Sequence, residues 1–190
     1  MVLGAGLEAL SENGFHGASM RAIATAANTS LSNLYNYFPS KSYLLAQILM
    51  DTATELLERL HGAVGTADGQ PVEQLDALVA AYVDFIVDRP QASVVGISEI
   101  RYVEGDQREE VTEIRDRIEE LFRTVVDRGS ETGGFATEYP RDAARAVTSL
   151  CASLSTWYRN DGRLGRDEIV ARYAAFARGV VGAQTPAAHG

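Results

Sequence analysis

A single cysteine, Cys151, stands in the 190-residue chain. That excludes an intramolecular disulfide framework and any cysteine-based zinc site. Histidine is scarce as well. His16, His61 and His189 are scattered between a loop, a helix end and the tail, none at metal-ligand spacing from carboxylates. No zinc or di-iron bundle is therefore expected, and no cofactor. No apolar run approaches the roughly 18 residues of a membrane span. The first ten residues carry Glu8 and lack the basic start of a secretory leader. A soluble cytoplasmic protein without a membrane partner is the expectation. Cations are also in deficit: 17 Lys and Arg face 26 Asp and Glu, a net charge of −9, and Lys41 is the sole lysine. Taken over the whole chain, that balance opposes a nucleic-acid or anionic-membrane partner. The deficit is uneven, however. Residues 1–50 hold Arg21 and Lys41 against Glu8 and Glu12, so the entire acidic excess lies in 51–190.

What is present is helical. An apolar content of 46% and a charged content of 23% are ordinary for a globular protein. Alanine-rich stretches repeat apolar residues with a 3.6-residue period, and no strand-like alternation is sustained. The fold class is all-α, with about nine helices. Leu3, Leu7 and Leu10 form a stripe expected to stop at Asn13-Gly14. Ser19 can cap a helix through Ala27; Asn28-Thr29-Ser30 breaks it, and a second short helix runs from Leu31 to Tyr37. Phe38-Pro39 forms a corner, and Ser40 or Ser42 can cap the next helix, with its stripe Leu45, Ile48, Leu49, Thr52, Leu56 and Leu60. Residues 62–70 are Gly-rich and read as a linker. Helices are then expected from Pro71 to Arg89, over Gln91–Arg101, from Asp106 to Gly129, from Pro140 through Tyr158, and beyond Gly162. Glu113 with Arg117 and Glu119 with Arg123 make i,i+4 pairs on a solvated face.

Two short helices joined by a three-residue turn, Ser19 to Phe38, have the dimensions of a helix-turn-helix. In that motif the second helix enters the major groove. Leu34 and Phe38 can point inward, leaving Ser32, Asn33, Asn36 and Tyr37 outward. Asn can pair with adenine, while hydroxyls and Lys41 suit phosphate oxygens. Spacing alone equally allows a polar loop region with a tyrosine-rich hinge.

The run Gly14-Phe15, Ser19, Ile23-Ala24, Ser30, Leu34-Tyr35, Tyr37-Phe38, Ser40-Lys41 and Leu44-Leu45 resembles the DNA-binding domain of the tetracycline-repressor (TetR) family. The match covers about 45 residues without gaps. The remaining two-thirds resemble the family only in helix count and length. The resemblance implies an all-helical homodimer: a helix-turn-helix domain over 1–45, a helical ligand-binding and dimerisation domain over 46–185, and a disordered tail over 186–190. It further implies a double-stranded DNA operator and a small-molecule effector as partners. Carried over by position, Ser19 and Arg21 meet the backbone or groove edge, Ser32, Asn33 and Asn36 face bases, and Tyr35, Tyr37 and Lys41 hold phosphates. Ser30 belongs to the same DNA-binding set. Asn28 replaces the usual Gly, and Asn tolerates the left-handed turn. Thr29 replaces a small apolar residue. The chain begins within the expected first helix, without the basic arm often found upstream.

An effector pocket is expected among the middle helices, with Tyr82, Phe85, Ile86, Ile97, Arg101, Ile118, Phe122, Leu154 and Trp157 as candidate lining and Val94 and Leu150 beside them. Arg145 and Arg159 lie near those faces. Trp157-Tyr158-Arg159 followed by Asp161-Gly162-Arg163 resembles the corresponding segment of members that sense acyl-CoA thioesters. A planar aromatic or drug-like inducer is the alternative, as is a helical lipid-type carrier that binds no DNA. Ile169, Tyr173, Phe176 and Val180, with Ala174 and Ala177, would suit a dimer seam. Nothing supports an enzyme: Gly4-Ala5-Gly6 lacks a dinucleotide-binding context, and Cys151 reads as a small core residue.

Overall fold

Helix follows helix, as the periodicity requires. The structure, a computed structural model, describes residues 1–67 and 69–183. Its described residues form nine α-helices and no strand. They are α1 (Val2–Gly17), α2 (Met20–Ala26), α3 (Leu31–Tyr37), α4 (Lys41–Thr66), α5 (Pro71–Asp88), α6 (Pro90–Ser98), α7 (Asp106–Glu131), α8 (Pro140–Ser153) and α9 (Arg166–Val181). Two 3-10 turns, Ile100–Tyr102 and Leu154–Thr156, follow α6 and α8. His189 and the expected tail at 186–190 lie outside the described residues.

Local chemistry accounts for most boundaries. The Ser19 hydroxyl accepts the Ala22 N–H and starts α2; the Ser30 hydroxyl accepts the Asn33 N–H and starts α3. Asn28 takes the left-handed conformation, φ 53°, that the turn between them needs. Of the two candidate caps for α4, Ser40 is the one used, accepting the Tyr43 N–H. Four expectations are corrected. Gly14 has a left-handed φ of 64°, but it kinks α1, which resumes to Gly17. The expected linker at 62–70 is helical as far as Thr66, whose hydroxyl donates to the Gly62 and Ala63 carbonyls and closes the last turn. Helix α7 runs past Gly129 to Glu131, and α8 stops at Ser153, where the chain tightens into a 3-10 turn before Trp157.

Contacts divide the chain into two compact units, each made of two separated segments. One joins residues 1–55 to 89–115. Its core gathers Leu10, Ile23, Leu34, Leu44, Leu45 and Leu49 from α1–α4 with Val95, Val103 and Val111 from the second segment. The α1 kink turns Phe15 into a cluster with that segment. Its amide donates to the buried Glu99 carboxylate at 2.8 Å, and its ring stacks on Tyr102 with centroids 4.7 Å apart. Ser42 joins the cluster by donating to the Tyr102 carbonyl at 2.8 Å.

The other unit comprises residues 56–88 and those from 116 onward. Helix α5 packs mainly against α9 and also touches α8. Leu75, Leu78, Val79, Phe122, Val147, Cys151, Leu154 and Ile169 are fully buried. Burial pushes the Cys151 thiol up to about 12, as suits a small core residue. The residues expected at a dimer seam divide. Ile169, Tyr173, Ala174 and Ala177 are buried against the chain's own core, whereas Phe176 and Val180 are exposed. One apolar period serves two faces here, because α9 lies on α5 and α8 along the Ile169–Tyr173 side.

Candidate functional site

The α2–α3 pair presents its polar side chains outward because Ile23, Ala24 and Leu34 anchor the opposite face in the core. On α3, Ser32, Asn33, Tyr35, Asn36 and Tyr37 are all exposed, Tyr37 at 70%. They form a continuous hydroxyl and amide surface without a formal charge. On α2, Arg21 is exposed and has no ion pair among the described residues. Ser19 and Ser30 are exposed too, but each hydroxyl already accepts a helix-capping N–H. Asn33 is tied down: its Nδ2 donates to the Thr29 hydroxyl at 2.8 Å.

Lys41 is placed differently from its neighbours. Its ammonium donates to the Ala18 carbonyl at 2.7 Å and sits 4.6 Å from the Phe15 ring centroid. It therefore braces the start of α4 against the end of α1, with two of its three N–H groups still available. The partly buried side chain was legible as a lysine near the helix pair, but nothing local in the sequence foretold its cation–π partner.

The residues expected around an effector fall in both units. Ile97 and Arg101 belong to the first unit and are exposed. In the second unit, Phe85, Ile86, Ile118, Phe122 and Leu154 are buried, and Tyr82 is half-buried with its ring 6.3 Å from Phe122. Trp157 is 49% exposed and leans on Tyr173, so it lies at the surface instead of enclosing a cavity. Arg159 and Arg163 are exposed beside it in sequence.

A feature the sequence did not single out is an open cleft of about 340 Å³ on α7 and α8, lined by Asp116, Glu119, Glu120, Arg123, Arg141 and Arg145. Every lining residue is charged. The i,i+4 pairing expected of Glu119 and Arg123 is replaced: Arg123 pairs with Glu120, and Glu119 reaches Arg145 on α8 at 3.2 Å. An interhelical arginine competes for Glu119, and the i+3 neighbour takes Arg123 instead. This lining is chemically unlike a site for an apolar effector.

Elsewhere in the second unit, hydrogen bonds from Arg166 and then Arg59 hold the Asp88 carboxyl below its usual range. Burial raises Asp76 despite its 2.9 Å bond from Arg178. Both are structural ties among α4, α5 and α9. Among the described residues no helix is long and apolar enough to cross a membrane.

Comparison with known proteins joins these two descriptions. The family model for bacterial regulatory proteins of the tetR family matches residues 2–48. The model for the tetracyclin repressor-like C-terminal domain matches residues 68–181. The transcriptional repressor KstR2 of Rhodococcus jostii is 24% identical over 166 residues, 86% of this chain and 80% of that protein. A tetR-family regulatory protein of Rhodococcus RHA1 superposes with a TM-score of 0.90 at 25% identity, covering 97% of this chain and 96% of that one. AibR, solved in complex with isovaleryl coenzyme A and operator DNA, has a TM-score of 0.85 at 18% identity, covering 96% of this chain and 97% of its own. With both halves matched in order and the helical architecture shared end to end, the chain belongs to the tetR family of bacterial transcriptional regulators, a family of regulators and not of enzymes.

Proposed function

We propose that the chain is a cytoplasmic, ligand-responsive repressor that binds a palindromic DNA operator as a homodimer and releases it when a small hydrophobic effector is bound. In this reading residues 1–45 read DNA and residues 46–185 receive the effector and pair the protomers. The observation that carries it is the uncharged polar face of α3, Ser32 to Tyr37, held outward by the buried Leu34. A soluble helical carrier has no use for such a face, whereas a recognition helix needs short hydrogen-bonding side chains at base edges and hydroxyls at phosphates. Ser32, Asn33 and Asn36 are assigned to bases. Ser19 and Arg21 are assigned to the backbone or groove edge, and Ser30, Tyr35, Tyr37 and Lys41 to the backbone.

The exposed Phe176 and Val180, one turn apart on α9, support the homodimer, since adjoining apolar side chains left in water mark a surface that something covers. A dimer reads two half-sites about one helical turn apart, which makes the operator palindromic. For the effector, an acyl-CoA thioester is the proposed class. The apolar group Tyr82, Phe85, Ile86, Ile118, Phe122 and Leu154 suits an acyl chain, and Trp157 with the exposed Arg159 and Arg163 suits a phosphate-bearing handle. The complex of the structurally similar AibR with isovaleryl coenzyme A adds weight.

The test is a mobility-shift series on DNA upstream of the protein's own gene, with acyl-CoA or free CoA added. Retarded DNA that is released by a long-chain or ring-bearing acyl-CoA, and not by CoA, is expected. Retention of full DNA binding after deletion of residues 19–41 would sink the DNA-binding assignment. Equal response to acyl-CoA and CoA would sink the effector class.

A further inference from the structure

Helix α3 offers the major groove no cation: its seven residues are Leu31, Ser32, Asn33, Leu34, Tyr35, Asn36 and Tyr37. The commonest specific route to guanine is a pair of hydrogen bonds from Arg or Lys to O6 and N7, and α3 lacks it. The matching route to adenine uses an Asn or Gln amide, which donates to N7 and accepts from N6. Two asparagines could do this, and the structure separates them. Asn33 is held back along the helix by its bond to Thr29, which a base contact in the paired geometry would have to break. Asn36 is exposed and its side chain makes no hydrogen bond among the described residues, and Ser32, also exposed, lies one turn before it. On the flanks, Tyr35 and Tyr37 bring hydroxyls and ring edges but no charge.

Paired recognition of guanine by Arg or Lys could come only from another element. In residues 1–50 the cations are Arg21 and Lys41. Lys41 is anchored to Ala18 and Phe15 at the start of α4, while Arg21 on α2 is exposed and carries the planar fork that guanine's O6 and N7 need.

We infer that Asn36 selects an adenine in the base pairs lying under α3, and that a guanine read in the paired geometry by residues 1–50 is read by Arg21. The inference rests on the DNA-binding reading above and adds to it which bases the operator must carry.

The experiment is selection of duplexes from a randomised pool by the purified full chain, followed by binding of the selected duplex. The wild-type chain and the variants N36A, N33A and R21A are compared, all checked for unchanged melting. A second arm replaces the selected adenine with 7-deazaadenine, which removes N7 without touching the protein. The expected result is one adenine per half-site whose preference, about ten-fold or more, disappears in N36A and with 7-deazaadenine but persists in N33A. A guanine preference, where present, disappears in R21A. A selected site whose adenine preference survives N36A, or whose strongest guanine survives R21A, overturns the inference while leaving DNA binding intact. Failure to select any duplex overturns the DNA-binding reading itself, and this inference with it.

Discussion

Raising salt should weaken operator binding unusually little for a DNA-binding protein, and the structure sets the size of the effect. Affinity falls with salt because each phosphate neutralised by a cation releases counterions, with a slope of about −0.9 in log K against log salt per phosphate. Residues 1–50 contain only Arg21 and Lys41 as cations. Two copies would neutralise at most about four phosphates, a slope near −3.6. Lys41 is already engaged with Ala18 and Phe15. With Arg21 acting alone, two copies give about −1.8. Between 50 and 200 mM salt the affinity loss would then lie between about 12-fold and about 150-fold. The acidic excess in 51–190 works in the same direction, since it repels duplex that is not in register. The assay is fluorescence anisotropy of a labelled operator titrated at several KCl concentrations, for the wild-type chain, R21A and K41A. R21A should flatten the slope by about two units. K41A should weaken all sequences alike. A wild-type slope steeper than about −6 would mean that arginines from elsewhere in the chain hold the phosphates. A slope indifferent to Arg21→Ala would remove Arg21 from the phosphates and leave it only a contact at the groove edge.

Three further outcomes concern stability. Glu99→Ala leaves the Phe15 amide without its acceptor and should lower unfolding stability by about 1–3 kcal/mol in urea. Glu99→Gln keeps an acceptor oxygen and should lose less; equal losses would show that the charge matters and not the acceptor. Gly129→Ala would put a Cβ 2.2 Å from the buried Phe135 ring, an overpacking that should cost about 1–3 kcal/mol and lower Tm. An unchanged Tm would mean that Phe135 can turn aside freely. Asp88 has a depressed carboxyl, so its contribution to stability is present above the ordinary carboxylate range and lost as pH falls through that range. Asp88→Asn should therefore narrow the gap in urea midpoint between pH 7 and pH 3, modestly because the pair is exposed to solvent. A gap as wide as in wild type would show that Arg166 and Arg59 contribute nothing measurable there.

What could be read from the sequence was whatever local rules decide. Ser19 as a cap, the left-handed Asn28, the corner at Pro39 and the start at Pro71 all follow from interactions within a few residues of one another. The outward face of α3 was legible for the same reason: a seven-residue helix with Leu34 inward has few other ways to lie. Long-range partners were not legible. Glu99 looked like one carboxylate among many until the fold brought it to an amide 84 residues away. Periodicity located the apolar face of α9 but not what covers it, so Tyr173 was placed with Phe176 although one is buried and the other exposed. Composition misread residues 62–66, because glycine lowers helix propensity only by about 1 kcal/mol and an existing helix can carry that. The charged cleft on α7 and α8 escaped notice because its pairings cross from one helix to the other.

The interleaving of the two compact units bears on how the protein is made. Synthesis runs from the N-terminus at about 5–20 residues per second. The first 55 residues emerge early, yet Val95, Val103 and Val111, which complete their core, and Tyr102, which covers Phe15, are still to come. The gap of 60 residues between positions 55 and 115 corresponds to about 3–12 seconds on the ribosome. During that interval the segment assigned to DNA holds its local helices and caps without the residues that close its core. A nascent chain would thus complete the core behind α2 and α3 only after the residues up to 115 had been translated.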